Sequence, residues 1–232
     1  MLIGDLFIQN LNINYHLISI NNLKSAFNNL QSKIYNLKSS IQMQRLAIFA
    51  SGSGTNAEAI IRHFKNSTTH SVTRVYCNKP DAGVISRVEK LGIPCLVFDK
   101  TEFQNGSKIL NQLKEDKTDA IALAGFLWLV PDYLIKSFPE HIYNIHPALL
   151  PEYGGKGFYG SKVHQAVLES GKPISGITIH EVNEKFDEGK ILFQAACYCS
   201  PEDTAESLAN KIHALEHKYY PVVLQKILQE KD

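Results

Sequence analysis

From Arg45 onward, short apolar runs alternate with longer amphipathic stretches, and this alternation constrains the fold more than any other feature of the chain. The runs have the length and β-branched content of strands, while the early stretches between them have helical spacing. The pattern predicts an α/β fold with a three-layer, Rossmann-like, mostly parallel sheet that carries helices on both faces. The predicted strands are Leu46–Ala50, Val72–Cys77, Cys95–Phe98, Ala120–Ala124, Ile142–His146, Gly176–Val182 and Ile191–Cys199. The predicted helices are Ala57–Lys65, Ala82–Leu91, Ser107–Asp116 and Lys162–Glu169.

The last part of the chain departs from this alternation. Gly176–Val182 and Ile191–Cys199 follow each other without a helical stretch between them, which predicts a late antiparallel hairpin. A final helix is predicted from about Glu202 to Gln229, and Pro221 is expected to kink or divide it because proline lacks the backbone N–H. No repeat or flexible linker interrupts residues 43–232, which are therefore predicted to form one domain.

Residues 1–42 differ from the rest in composition. They contain eight asparagines, three lysines and one acidic residue, so they carry +2 and leave −1 of the chain's net +1 to residues 43–232. Apolar residues recur there at alternating spacings of three and four, which predicts an extra N-terminal amphipathic helix. Such a helix packs on the core or pairs two subunits; alternatively, translation starts at Met43 and the segment is not native. The stripe consists of Ile20, Leu23, Phe27, Leu30, Ile34, Leu37 and Ile41.

The overall composition disfavours several classes of function. With 24 basic and 23 acidic residues, the chain lacks the basic excess of a general nucleic-acid binder. No run approaches about 18 consecutive apolar residues, the length needed to span a membrane. The four cysteines have neither the number for a disulfide scaffold nor zinc-ligand spacing, and the N-terminus lacks a secretory pattern. These features predict a cytoplasmic protein that binds no metal, nucleic acid or membrane.

A glycine-rich loop, residues 51–56, follows the first predicted strand and precedes a helix. Backbone N–H groups at a helix N-terminus favour an anion, and Thr55 or Asn56 could cap this helix. Ala57 stands where the dinucleotide-binding pattern has its third glycine, so a phosphate is favoured over NAD. A tight turn without a ligand explains these residues equally well.

A second group of polar residues lies at the end of a predicted strand. Asn144 and His146 point to the same face, where an amide and an imidazole can stabilise a developing oxyanion and move a proton. Alternatively, loop backbone satisfies both side chains. Further along, Asp187 is either a hairpin turn residue or a carboxylate that orients His146.

Taken together, these motifs resemble the phosphoribosylglycinamide formyltransferases, the folate-dependent enzymes of purine biosynthesis. The resemblance spans about residues 43–228 and keeps the order of the motifs. The Asn-x-His-Pro-x-Leu-Leu-Pro run with a downstream Asp-x-Gly is its most specific part. The matching motifs are Gly52–Asn56, Ala124–Phe126, Asn144–Pro151, Asp187–Gly189, and Glu216–His217 followed by Tyr220–Pro221.

The resemblance implies a metal-independent transfer of the formyl group of 10-formyltetrahydrofolate, the co-substrate, to the amine of glycinamide ribonucleotide. It implies a catalytic role for Asn144, His146 and Asp187. The phosphate is expected at Gly54, Thr55 and Asn56, and the ribose or glycinamide part at Glu216. The folate is expected against Leu127, Trp128, Leu129, Val130, Asn144 and Asn183. His164 matches a family histidine near the substrate.

The sequence also departs from the family pattern. The family often places a folate-contacting arginine after the third strand, where this chain has Phe-Gln-Asn-Gly at residues 103–106. Ala148 replaces a common serine, and Glu188 replaces a common glycine. Two alternatives stay open: a formyltetrahydrofolate deformylase, which usually has a second histidine where Pro147 stands, and a non-catalytic relative that binds a phosphate ligand. An oligomer is compatible with the sequence but is not fixed by it.

Overall fold

A seven-stranded sheet organises residues 43–230, which the computed structural model of the chain describes together with residues 22–32. The strands are β1 (Gln44–Ala50), β2 (His70–Cys77), β3 (Cys95–Val97), β4 (Ala120–Leu123), β5 (Ile142–His146), β6 (Ile174–Glu181) and β7 (Ile191–Tyr198). Their order is β3-β2-β1-β4-β5-β6-β7; β1 to β5 are parallel, while β6 is antiparallel to both β5 and β7. The predicted mostly parallel sheet with a late antiparallel hairpin is confirmed.

Helices cover both faces of this sheet. The helices in the described residues are α1 (residues 22–32), α2 (Thr55–Phe64), α3 (Gly83–Glu89), α4 (Lys100–Asn105), α5 (Ser107–Glu115), α6 (Asp132–Ser137), α7 (Ser161–Glu169) and α8 (Ala205–Glu230). Side chains of β1 alternate between two cores: Leu46 and Ile48 pack with α2, α3, α7 and α8, whereas Ala47 and Phe49 pack with α4, α5 and α6. Burial on both faces explains why the early strands are near-continuous apolar runs.

Two short helices and one proline depart from the predictions. The helices α4 and α6 were not predicted, because six residues are too few to show a 3.6-residue period. The helix α8 continues through Pro221, so of the predicted kink or division at this residue the division is wrong. Pro221 is buried, and the hydroxyl of Tyr220 shares its proton between the carbonyl oxygens of Leu123 (3.1 Å) and Tyr143 (3.0 Å). These tertiary contacts offset the one backbone hydrogen bond that proline removes.

The strand order reverses at β1, which lies between β2 and β4. Open α/β sheets bind ligands in the crevice outside the carboxyl ends of the strands at such a point. Here the loops after β1 and β4 are joined, because the Ser51 N–H donates to the Gly125 carbonyl (3.1 Å) and the Leu127 N–H donates to the Ser51 hydroxyl (3.1 Å). This crevice positions the candidate site.

The N-terminal segment, residues 1–42, forms a separate unit from residues 43–232. Within it, the structure describes α1, which confirms a helix over residues 22–32. Leu23, Phe27 and Leu30 are 67%, 61% and 59% exposed. The other residues of the predicted stripe, Ile20, Ile34, Leu37 and Ile41, lie outside the described residues. The assignment of residues 43–232 as a catalytic domain stays a prediction.

Candidate active site

Two cavities open side by side at the carboxyl edge of the sheet. The apolar cavity, about 260 Å³, has walls formed by Leu123, Trp128, Leu129, Val130, Val182 and Phe186. The phosphate-loop cavity, about 300 Å³, is lined by residues 51–56, Lys79, Ala124, Gly125, His213 and Glu216. Asn144 lines both cavities, as do Phe126, Leu127, Phe158 and Tyr159. The predicted catalytic asparagine therefore stands where the two cavities meet.

The glycine-rich loop leads into α2 without a side-chain cap. Gly54 is left-handed (φ 79°), and a Cβ there would lie 2.5 Å from a Val84 side-chain atom, so only glycine fits. The suggested capping by Thr55 or Asn56 is wrong: Gly54 occupies the cap position, and Asn56 Nδ2 instead donates to Glu216 Oε2 at 2.8 Å. Uncapped N–H groups at the start of a ten-residue helix, near Lys79, favour a bound anion.

Glu216 is a buried carboxyl in the phosphate-loop cavity. It is 5% exposed, and burial raises its pKa to about 7, although the hydrogen bond from Asn56 acts in the opposite direction. The Oδ1 atom of Asn56 is buried and has no hydrogen-bond partner within the part of the chain that the structure describes. The carboxyl group and this amide oxygen can together accept hydrogen bonds from hydroxyl or amine groups of a ligand.

Two histidines also line the phosphate-loop cavity. His164, on α7, is 4% exposed, and burial lowers its pKa to about 4, so the ring is neutral at physiological pH. Its Nδ1 atom has no partner among the described residues. His213 was not singled out from the sequence; it lies on α8 three residues before Glu216, a spacing that places both on one helix face.

The three residues predicted to be catalytic come together in space. Asp187 Oδ1 lies 3.4 Å from Asn144 Nδ2, and Asp187 Oδ2 lies 3.5 Å from His146 Nδ1. The backbone N–H of Gly155 donates to Asp187 Oδ2 at 2.9 Å. The loop after β6 carries Asp187, and the glycine-rich segment after β5 (residues 153–157) holds it through Gly155. The Asp187 carboxylate therefore lies beside Asn144 and His146 on β5.

His180 belongs to the same cluster and was missed in the sequence. Its Nδ1–H donates to the Glu181 carbonyl at 2.7 Å, and in the tautomer that carries its hydrogen on Nδ1 the Nε2 atom accepts a hydrogen bond. Asn144 Nδ2 donates to this Nε2 at 3.1 Å, and Asp187 Oδ1 lies 3.6 Å from it. His180 is paired with Asn144 across β5 and β6, and this pairing was not predicted because α7 separates the two strands along the chain.

The two catalytic candidates with titratable side chains differ in charge. Burial opposes ionisation of Asp187, but the nearby His180 and His146 and the hydrogen bond from the Gly155 N–H outweigh burial and hold its pKa below the usual value. Burial lowers the pKa of His146 despite the neighbouring Asp187. At neutral pH, His146 therefore donates Nε2–H to the Tyr153 carbonyl at 2.8 Å and turns its Nδ1 lone pair toward Asp187. The pair can take up one proton.

Both partners of His146 adopt a costly backbone conformation. Tyr153 and Asp187 are left-handed, with φ of 55° and 57°. A non-glycine residue in this region costs about 1–3 kcal/mol and persists where the surroundings hold it. Such strain concentrates at sites whose geometry is kept for function.

The apolar cavity contains the four hydrophobic residues predicted to contact the folate. Leu127 and Leu129 are 39% and 43% exposed, whereas Val130 is buried. Trp128 lines the cavity and also packs against the hydrophobic core, since the centroid of its ring lies 5.5 Å from that of Phe103. Asn183 is not among the lining residues; its side-chain oxygen accepts the Lys185 N–H at 3.0 Å.

Neither a candidate metal cluster nor a membrane-spanning helix occurs in the part of the chain that the structure describes. Within residues 22–32 and 43–230, no group of three or more His, Cys, Asp or Glu side chains could hold a metal ion. In that same part of the chain, no helix has both the length and the apolar character needed to cross a membrane.

Comparison with known proteins identifies the family. The family model described as formyl transferase matches residues 44–224. The chain belongs to the formyl transferase family. It is 42% identical over 194 residues to the chloroplastic phosphoribosylglycinamide formyltransferase of Arabidopsis thaliana, and 37% identical over 191 residues to the enzyme of that name in Bacillus subtilis. The resemblance inferred from the motifs is confirmed.

The coverage of these formyl transferase relatives differs. The alignments include 81% of this chain with 66% of the Arabidopsis protein, and 80% of this chain with 95% of the Bacillus subtilis protein. Another plant relative, from Vigna unguiculata, is covered over 63% of its length, so the chain spans about two thirds of the plant proteins. Both plant relatives are named as chloroplastic, and a cytoplasmic location of this chain stays a prediction.

Solved structures agree with this family assignment. Phosphoribosylglycinamide formyltransferase from Bacillus halodurans is 38% identical with a TM-score of 0.74, over 82% of this chain and 97% of that chain. Glycinamide ribonucleotide transformylase 1 from Geobacillus kaustophilus is 36% identical with a TM-score of 0.74, over 81% and 100%. The formyl transferase fold therefore accounts for nearly all of residues 43–230.

Proposed function

We propose that the chain transfers the formyl group of 10-formyltetrahydrofolate to the amine of glycinamide ribonucleotide, a step of purine biosynthesis. One observation carries the proposal: Asn144, His180, Asp187 and His146 form a single cluster at the junction of an apolar cavity and a cavity that favours an anion. A reaction between an aromatic one-carbon donor and a phosphorylated amine needs such a junction. Residues 43–232 would form the catalytic domain, since every residue of the cluster lies there.

The phosphate-loop cavity suits the ribonucleotide. Backbone N–H groups at Gly54, Thr55 and Asn56 would hold the phosphate at the start of α2. Glu216 and the unpartnered Oδ1 of Asn56 would accept hydrogen bonds from the ribose hydroxyls or the glycinamide part. The amine would then reach the side of the cavity lined by Asn144.

The apolar cavity suits the folate. Leu127, Trp128, Leu129 and Val130 offer an apolar wall for the flat rings, and one side of the cavity carries the polar groups of Asn144, His180 and Asp187. This combination fits a ligand with an aromatic body and a reacting polar group. Asn183 would support folate binding indirectly, because its side-chain oxygen accepts the Lys185 N–H and so holds the turn that carries Lys185 to the cavity.

Asn144 would stabilise the oxyanion that forms when the amine attacks the formyl carbon, and His146 would add a positive charge nearby once it has taken up the proton of the amine. The Asn144 amide keeps one N–H on His180 at 3.1 Å, while its 3.4 Å contact with Asp187 is long enough to be exchanged for the substrate oxygen. Removing one such donor typically costs about 10²–10³ in kcat. The intermediate then collapses as the bond from the formyl carbon to the folate nitrogen breaks.

The Asp187 and His146 pair would manage the proton. The attacking amine loses one proton as the new carbon–nitrogen bond forms, and the folate nitrogen gains one as it leaves. Asp187 is ionised and His146 neutral at pH 7, so the pair can hold this proton between the two steps. The Gly155 N–H and the Tyr153 carbonyl fix both groups in place.

A turnover assay with both substrates tests the proposal. Purified protein should release tetrahydrofolate from 10-formyltetrahydrofolate only when glycinamide ribonucleotide is present. Release without the ribonucleotide would instead support a deformylase, and binding of both ligands without turnover would support a non-catalytic relative. His146→Ala should reduce turnover by about 10²-fold or more while the far-ultraviolet circular dichroism stays unchanged.

A further inference from the structure

The apolar cavity holds two cationic side chains on its walls. Lys156 lies in the glycine-rich segment after β5, and Lys185 lies in the loop after β6. No arginine is among the residues that line this cavity, and residues 103–106, where the sequence lacks the expected arginine, contain the buried Phe103. The lysines that line this cavity are Lys156 and Lys185, and either ammonium could pair with a carboxylate of a ligand.

The two lysines differ in what they already bind. Lys185 Nζ lies 3.0 Å from Glu188 Oε2, so its charge is paired within its own loop. The Lys156 ammonium has no hydrogen-bond or ion-pair partner within residues 22–32 and 43–230. A ligand carboxylate can approach Lys156 without first displacing a protein carboxylate.

The backbone fixes the place where Lys156 leaves the loop. The preceding residue, Gly155, donates its N–H to Asp187 at 2.9 Å. Gly155 and Gly157 flank Lys156 with φ of 91° and 99°, a conformation that disfavours other residues. The base of the Lys156 side chain is therefore tied to the carboxylate of the candidate site, whereas its four-carbon stem is flexible.

We propose that Lys156 binds the carboxylate-bearing glutamate tail of the folate co-substrate and takes the place of the missing arginine. The inference rests on the proposed function of the apolar cavity. Lys185 is paired with Glu188, so a ligand carboxylate that enters the cavity finds an unpaired cation at Lys156. Lys156 then acts on affinity for the tailed ligand rather than on the chemical step.

Steady-state kinetics of Lys156→Ala with two donors test this role. One donor is 10-formyltetrahydrofolate, and the other is 10-formyltetrahydropteroate, which lacks the glutamate. The substitution should raise KM for the tailed donor about five- to tenfold, as expected for a partly exposed charge-assisted contact, and change KM for the tailless donor less than about twofold. Lys156→Arg should restore most of the loss, and the difference between wild type and variant should shrink with added salt.

Two controls separate the possible outcomes. Lys136→Ala removes an exposed lysine of α6 that does not line the cavity, and it should leave both KM values within about twofold. Equal effects of Lys156→Ala on both donors, or a selective effect only in Lys185→Ala, would overturn the proposal for Lys156. Failure of the wild-type protein to quench its Trp128 fluorescence with either donor would instead refute folate binding itself, and with it both proposals.

Discussion

The apolar cavity and the phosphate-loop cavity share Asn144, but they are built from different materials. The walls of the first come mainly from side chains after β4 and β6, whereas the second begins with backbone N–H groups after β1. Ligand binding in the apolar cavity depends on hydrophobic contact area, which tolerates small changes in shape. Binding in the phosphate-loop cavity depends on backbone donors and the buried carboxyl of Glu216, whose hydrogen bonds are directional and do not tolerate such changes.

Because different groups line the two cavities, each should respond to substitution in its own way. A change in one cavity should alter the KM of the ligand that binds there, whereas a change at the junction should alter kcat for the reaction between them. The following predictions test whether the two cavities are separable, beginning with the largest expected effect.

Substitution at the junction should be the most damaging. Asp187→Asn removes the carboxylate that faces both His146 and His180, so we expect kcat to fall by about 10³-fold, with both KM values changed much less. The adjacent Glu188→Gln, which removes an exposed carboxylate from the same loop, should retain activity within about twofold. Comparable losses in the two variants would show that the loop, rather than the Asp187 charge, matters.

The buried carboxyl of the phosphate-loop cavity should make stability depend on pH. The folded-state pKa of Glu216 is raised to about 7 from 4.5, so the folded protein binds more protons than the unfolded chain between these values. Stability should therefore fall as pH rises from 4.5 to 7, with a total cost on the order of 3 kcal/mol.

Thermal or urea unfolding at pH 5 and pH 7.5 measures this cost. Glu216→Gln should lose that part of the pH dependence, whereas Glu206→Gln, at an exposed position of the same helix, should keep it. Parallel pH profiles for Glu216→Gln and wild type would contradict the raised pKa.

Glu216 should also affect ligand binding, but only that of the ribonucleotide. Glu216→Ala removes an acceptor from the phosphate-loop cavity and leaves Asn56 Nδ2 without its partner. We expect KM for the ribonucleotide to rise about tenfold, the size of one lost charged hydrogen bond, while KM for the folate changes less than about twofold. A matching rise in both KM values would mean that the cavities do not act separately.

The smallest effect is expected in the apolar cavity. Leu129 is 43% exposed, so Leu129→Ala removes part of a wall rather than a buried core side chain. The lost contact area should raise KM for the folate about threefold and leave KM for the ribonucleotide unchanged. Val222→Ala, at an exposed position of α8 outside both cavities, is the matched control. An effect of Leu129→Ala on the ribonucleotide alone would reverse the assignment of the cavities.

The sequence predicted the elements that show a period, and it missed those that are too short to show one. Strands such as β1 could be recognised because both faces are buried, whereas α4 and α6 have only six residues each. Pro221 does not divide α8, one of the two effects expected from its sequence, because Tyr220 next to it is held on β4 and β5 by contacts that the sequence does not show. At Pro221, tertiary contacts outweigh the low helix propensity of proline.

The candidate site shows the same limit. Asn144 and His146 could be paired from strand alternation, but the approach of Asp187 depends on how two loops fold, which spacing does not reveal. His180 was missed because it lies inside an ordinary apolar strand pattern, and its pairing with Asn144 across β5 and β6 joins strands that are separated by a helix along the chain. No sequence motif predicted a role for Lys156, and its proposed role rests on its unpaired charge at the cavity.

The hydroxyl of Tyr220 has a consequence beyond stability. It ties α8 to the carbonyl groups of both β4 and β5, one helical turn after Glu216 and one residue before Asn144 in the neighbouring strand. A helix advances about 1.5 Å per residue, so a slide of α8 by a single residue would break both contacts and carry Glu216 away from Asn56. Tyr220 therefore fixes the position of α8 along the sheet, and with it the position of the Glu216 carboxyl relative to the Asn144 amide that lines both cavities.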